Sequence, residues 1–207
     1  MAEYTHVGPG LPPLHGARAN ALILGSFPSP KSREQGFFYG HKQNRFWPMI
    51  AAVTGEPVPD WADIEAKKAI ILKHGLAVWD TIGACDIKGA SDASIRNAVP
   101  NDVAALIQKL GVRAVFCNGA ASGRIYAKYA EPLTHLPAAV LPSTSPANAA
   151  WSPARLQVAW GTALAPFLRA DWLQVNGFCS IIKGIILILS AGRGGACPAR
   201  SLPMEGG

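Results

Sequence analysis

Short apolar runs alternate with amphipathic stretches along most of the chain. "ALILG" after Asn20 has the continuous apolar character of a buried strand and ends at Gly25. "RFWPMIAAVT", Arg45 to Thr54, predicts a helix with Pro48 in its first turn, where a missing N–H costs little. "DWADIEAKKAIILKHG" predicts a second helix, capped by Asp60 and stopped by Gly75. "LAVWD" predicts a second strand over 76–80. "DTIGACDIKGASDASIRNAVP", from Asp80 to Pro100, reads as a polar loop. "NDVAALIQKLG" predicts a helix capped by Asn101; "VRAVFCNG" and "AASGRIYAKYA" predict a strand and the helix after it. "AAVLPSTSPANA" predicts a short fourth strand running into a Pro-pinned loop. The last helix is predicted from "WSPARLQVAWGTALAPFLR", with Ser152 as cap and Pro153 at its first position.

Four strands alternating with helices predict an α/β three-layer sandwich, a central, mostly parallel four-stranded sheet flanked by helices. Residues 1–19 carry no periodicity and are expected to be irregular. The expected division is a catalytic domain over 1–170 and an atypical tail over 171–207. In the tail, "IIKGIILILS" is too short for a membrane helix, which needs roughly 20 apolar residues. In open sheets of this kind ligands bind beyond the carboxyl ends of the strands. The loops "GSFPSP…HKQN", "WDTIGACD", "CNGAAS" and "LPSTSPANA" all leave strands there, and are expected to converge on one cleft.

Composition narrows the partner. Only 15% of the residues are charged, yet the net charge is +6, so a polyanion is a plausible ligand. The tail holds three basic and two acidic residues, so the excess belongs to the first 170. The four Cys lack C-x-x-C spacing and no H-E-x-x-H occurs; inert thiols rather than a metal site are expected. The N-terminus has no signal-peptide pattern, which with free thiols favours a cytoplasmic location. The loop after the first strand has neither G-x-G-x-x-G nor G-x-x-x-x-G-K-[ST], and Pro28 and Pro30 stand where glycines would wrap a phosphate. No G-x-S-x-G elbow is present. A dinucleotide enzyme and an α/β-hydrolase are both poorly supported, and no cofactor is expected.

The residues that remain describe another pocket. "FFYG" offers an aromatic wall, "GHKQN" an amide, Asp80 a carboxylate at a strand end, and "PSTSP" small hydroxyls suited to phosphate. Each has a plainer reading: Asn44 as a helix cap, Asp80 as a turn cap, Phe37 as core, "PSTSP" as an ordinary turn. Together they suit an enzyme that acts on a base flipped out of DNA.

The ordered motifs "LILGSFPS", "FFYGHKQNRFW", "VWDTIGACDIKGASDASIRN" and "LPSTSPANA", between Leu22 and Leu168, resemble the uracil-DNA glycosylase superfamily, and in detail its hypoxanthine-DNA (deoxyinosine) glycosylase branch. One departure is His41-Lys42, where that branch usually has His-Pro. The resemblance implies a cofactor-free, monomeric enzyme that hydrolyses the N-glycosidic bond of a deaminated base in double-stranded DNA. It implies that Asn44 places the attacking water. It assigns Gly25, Ser26, Phe27, Pro28, Phe38, Tyr39, Asp80 and Asn118 to the base. Either Phe38 or Tyr39 is expected to stack on it. Ser143, Thr144, Ser145, Asn148, Lys42 and Arg45 are expected to meet the DNA, with Lys31 and Arg33 along its track. A uracil or mismatch-thymine glycosylase, a non-catalytic nucleic-acid-binding module and a nucleoside hydrolase are the competing readings.

Overall fold

The computed structural model describes residues 3–89 and 91–169. The elements run β1 (Thr5–Val7), β2 (Ala21–Gly25), α1 (Pro30–Gln35), α2 (Phe46–Thr54), α3 (Ile64–Lys73), β3 (Leu76–Asp80), β4 (Ile82–Ile87), β5 (Arg96–Pro100), α4 (Val103–Leu110), β6 (Ala114–Asn118), α5 (Ala120–Tyr129), α6 (Glu131–Thr134), β7 (Ala138–Leu141) and α7 (Pro153–Leu164). The expected four-stranded sheet is present with order β3-β2-β6-β7, and every neighbouring pair in it is parallel. Helices cover both faces.

Strand periodicity explains the layering. On one face Leu22 and Leu24 of β2, Ala77 of β3, and Val115 and Cys117 of β6 pack with Val103, Leu106, Ile107 and Leu110 of α4 and Tyr126 of α5. The residues between them, Ile23, Val78 and Phe116, are equally buried and point to the other face. There Phe116 meets Phe167, just beyond α7, with ring centroids 5.7 Å apart. Helices α2, α3 and α7 form that layer, and Trp160 of α7 lies edge-on to Phe46 of α2. Trp160 has no exposed surface, and its indole N–H donates to Pro142 O at 3.0 Å, tying α7 to the loop after β7.

Several local expectations need correction. Residues 1–19 are not all irregular, because Thr5–Val7 pairs antiparallel with β4. The segment expected to be a polar loop after Asp80 holds the β4–β5 hairpin, which completes a second, three-stranded sheet of order β1-β4-β5. Register shifts at Ala84 break the alternation that marks a strand in sequence. The helix α1 was not anticipated; Ser29 caps it by accepting from Ser32 N–H, and Pro30 opens it. Asp63, not Asp60, caps α3 by accepting from Ala66 N–H, while Asp60 accepts from Ala62 N–H in the turn before. Asp102, not Asn101, caps α4. Asn101 instead donates to Asp80 O at 2.9 Å. The tail from 171, with "IIKGIILILS", lies outside the described residues. Among the described residues no helix is long and apolar enough to cross a membrane.

Candidate active site

The four loops beyond the carboxyl ends of β2, β3, β6 and β7 enclose one pocket of about 530 Å³. The first loop contributes Gly25 to Ser29, Ser32, Phe38, Tyr39 and Asn44; the second Asp80; the third Asn118; the fourth Ser143, Thr144, Ser145, Ala147 and Asn148. Every residue expected to bind the base or supply the water is therefore in one cavity. Ser91 and Asp92, from the tip of the β4–β5 hairpin, complete the wall. Sequence reasoning missed both because the hairpin itself was read as loop.

Asp80 ends β3 directly beside Gly25 of β2. A Cβ at Gly25 would stand 2.2 Å from Asp80 Oδ1, so only glycine lets the carboxylate lie there. Asp80 is 5% exposed, and its Oδ2 has no hydrogen-bond partner among the described residues. The side chain does not cap the following turn. Burial, and then the nearby Asp92 charge, push its pKa up to about 7. Tyr39 Oη is likewise buried, close to the Asn118 amide but without the geometry of a hydrogen bond. Burial, followed by the Asp80 charge, holds the phenol well above its ordinary pKa, so it stays a donor. Two buried polar atoms left unsatisfied in one cavity are what a ligand would complete. Asp92 belongs to an exposed hairpin tip, but its carboxylate turns in to accept from Ser26 Oγ at 2.6 Å. The partial loss of water around that carboxylate raises its pKa.

The aromatic strip divides its work. Phe38 is buried, in an edge contact with Phe37, while its carbonyl accepts from Trp47 Nε1. Tyr39 has φ +53° and stacks on Phe46 with ring centroids 3.8 Å apart. Phe27 packs under the small sheet with Ile82, Cys85 and Ile87.

Asn44 is held from one side. Its Oδ1 accepts from Phe46 N–H at 3.0 Å and from the Thr144 hydroxyl at 3.0 Å. The N-cap position of α2 is Arg45, not Asn44; the Asn44 carbonyl turns the chain into the helix from one residue earlier, while the residue lines the cavity. Both carbonyl lone pairs are used, so the Nδ2 group is what Asn44 offers to a ligand. The Thr144 hydroxyl in turn accepts from Asn118 Nδ2 at 2.9 Å, and Thr144 N–H donates back to Asn118 Oδ1 at 2.9 Å.

Two expectations about DNA contact do not fit this geometry. Thr144 is fully buried and its hydroxyl is engaged on both sides, so it is not free to meet a phosphate. The Arg45 guanidinium does not reach outward; it donates to the carbonyls of Thr144, Ser145, Asn148 and Trp151. Arg45 N–H also donates to Thr144 O, at 3.1 Å. By contrast, the hydroxyl oxygens of Ser143 and Ser145 accept from Ser145 N–H and Ala147 N–H, which leaves both O–H groups available to donate. Asn148 donates to Ser143 O. Lys42 lies 4.6 Å above the Trp61 ring, outside the pocket, and Lys31 pairs with Glu34. Arg33 donates to Pro28 O. Among the described residues no cluster of His, Cys, Asp and Glu could hold a metal ion.

Comparison with known proteins identifies the family. The family model for the uracil DNA glycosylase superfamily matches residues 12–164. The chain belongs to that superfamily. It is 32% identical over 148 residues to a hypoxanthine DNA glycosylase of Methanosarcina acetivorans, covering 69% of this chain and 89% of the relative. It is 27% identical over 115 residues to a hypoxanthine DNA glycosylase of Methanosarcina barkeri, covering 55% of this chain and 72% of the relative. The solution structure of a putative uracil DNA glycosylase from Methanosarcina acetivorans superposes with a TM-score of 0.66 at 26% identity, over 79% of this chain and 99% of that one.

The Arg45 geometry yields a test. Arg45→Lys cannot reproduce a planar fork that serves several carbonyls. It should slow single-turnover base excision about tenfold or more, the scale of lost positioning. It should leave the salt dependence of DNA binding unchanged. Arg45→Gln, which removes the charge, should leave it unchanged too, whereas at a phosphate contact that variant would flatten it by about one unit of slope.

Proposed function

We propose that the chain is a monofunctional DNA glycosylase that accepts a deaminated base, hypoxanthine above all, from DNA and hydrolyses its N-glycosidic bond, leaving an abasic site. The observation that carries the substrate is the buried Oδ2 of Asp80, which has no hydrogen-bond partner among the described residues. Hypoxanthine presents N1–H, a donor, where adenine presents a bare acceptor. An ionised Asp80 accepts from the first and repels the second. Leaving a buried acceptor unpaired costs about 1–3 kcal/mol, a discrimination of roughly 5- to 150-fold. The names of the two Methanosarcina relatives support the same base.

The chemistry separates positive charge on the sugar from negative charge on the departing base. Three tasks follow. Phe38 and Tyr39 wall the base once it leaves the stack, a contact worth roughly 1–3 kcal/mol per base. The Tyr39 hydroxyl, kept protonated, is a donor for a base that gains negative charge. The Asn44 Nδ2 group donates to one lone pair of a water, leaving the other for C1′. That water needs orientation more than deprotonation, because the sugar is already cationic. The Ser143 and Ser145 O–H groups grip the flanking phosphates.

The reading is tested with end-labelled duplexes carrying one deoxyinosine, one deoxyuridine or only normal bases, cleaved with alkali after a single turnover. Breakage mainly at deoxyinosine is expected, and Asn44→Ala should be slower by on the order of 10²-fold. Breakage mainly at deoxyuridine would keep the mechanism and overturn the base; no breakage would overturn the activity. A second test uses pH. With its pKa near 7, Asp80 is protonated below that value and then able to donate to adenine N1. The preference for deoxyinosine over deoxyadenosine should therefore rise as pH increases through about 7 and level off above it. In Asp80→Asn the preference should shrink and lose that pH dependence; an unaltered profile would remove Asp80 from base selection.

A further inference from the structure

The three-stranded sheet carries a group of side chains that the pocket does not use. Lys88 Nζ and Arg96 Cζ each lie 4.5 Å from the centroid of the same ring, that of Tyr4. The two charges are thus held within about one Debye length of each other, ~8–10 Å at physiological ionic strength. Neither pairs with a carboxylate among the described residues. Asp86 faces Arg96 across the β4–β5 ladder and is the natural candidate. Its Oδ1 is bonded to His6 Nδ1 at 2.8 Å, however, and its Oδ2 accepts from Asn97 Nδ2 at 2.6 Å. The Tyr4 ring offsets part of the repulsion by cation–π attraction. An anion bridging the two cations would remove the rest.

The position of this group says which anion. Lys88 follows β4 and Arg96 opens β5, so they bracket the hairpin tip. Ser91 and Asp92 of that tip wall the base pocket, and Ser26 Oγ fastens the tip to the loop after β2. Lys88 N–H donates to Ser94 Oγ at 2.9 Å, which closes the tip and fixes the lysine relative to it. A strand delivering a base to the pocket therefore has its backbone close to both cations. Arg96 is exposed, and Tyr4 is 36% exposed with its hydroxyl as a further donor.

We propose that Tyr4, Lys88 and Arg96 form a backbone-phosphate contact for DNA on the small sheet, flanking the mouth of the base pocket. The proposal rests on the glycosylase reading only for the identity of the polyanion. It gives the β1-β4-β5 sheet a role in substrate binding, with the hairpin serving the base at its tip and the phosphates at its stem.

The test measures binding of the full chain to a deoxyinosine duplex as a function of salt. Replacing both cations, Lys88→Gln with Arg96→Gln, should flatten the slope of log affinity against log salt by nearly two units. Affinity should fall, and most at low salt, where counterion release contributes most. The charge-preserving pair Lys88→Arg with Arg96→Lys should keep the wild-type slope, which separates charge from folding. An unchanged slope in the Gln pair, in a wild-type protein that does excise hypoxanthine, would overturn this contact and leave the activity standing. If wild type excises nothing but the Gln pair still flattens the slope, the contact stands and the activity falls.

Discussion

The site depends on one buried hydroxyl. Thr144 joins the loop after β7 to the loops after β2 and β6, by donating to Asn44 and accepting from Asn118. Its backbone N–H closes the ring by donating to the side-chain Oδ1 of Asn118. All three residues line the pocket, and the hydroxyl is fully withdrawn from water. A satisfied polar network in such surroundings is rigid, because any partner that rotates away strands a buried group. It also decides an ambiguity that no isolated amide could. With Phe46 N–H and Thr144 O–H both on its carbonyl, Asn44 turns its NH₂ group to the ligand. Arg45 reinforces the same joint from below, by holding the carbonyls of the 144–151 turn. The adjacent residues Asn44 and Arg45 thus act together, one facing the cavity and one fixing the opposite wall.

Against that rigid side stands an electrostatically unsettled one. Asp80 and Asp92 bring two carboxylates to the same cavity, and Tyr39 adds a buried hydroxyl. The fold accepts this cost where β2 and β3 lie side by side, with Gly25 giving Asp80 its room. Neither Asp80 nor Tyr39 is needed to hold the strands, which are already paired through backbone. Strain of this kind at strand ends is the ordinary mark of a binding site.

The parallel sheet was legible in the sequence because its strands are short, continuous apolar runs separated by helices of clear period. The cleft followed from strand polarity alone. What escaped was set by tertiary contacts. The β4–β5 hairpin hides behind Gly83, Asp86 and a shifted register, so its alternation is broken, and with it went Ser91 and Asp92. Asp60 and Asp63 are both acceptable caps by composition, and only the turn at Ala62 selects between them. Arg45 and Thr144 look like DNA contacts in "NRFW" and "PSTSP" because their types suit phosphate. Nothing in either segment reveals that each is committed to the other loop, about a hundred residues away.

The most direct test of this account changes Thr144 alone. Single-turnover excision from a deoxyinosine duplex at saturating enzyme would be compared for wild type, Thr144→Ser and Thr144→Val, with thermal melting as the control for folding. Serine keeps the hydroxyl, and its rate should stay within a few-fold of wild type. Valine keeps the shape but strands the Asn118 amide and frees one lone pair of Asn44, so its rate should fall toward that of a chain lacking Asn44, on the order of 10²-fold. A folded valine variant working at the wild-type rate would contradict the claim that this hydroxyl assembles the site.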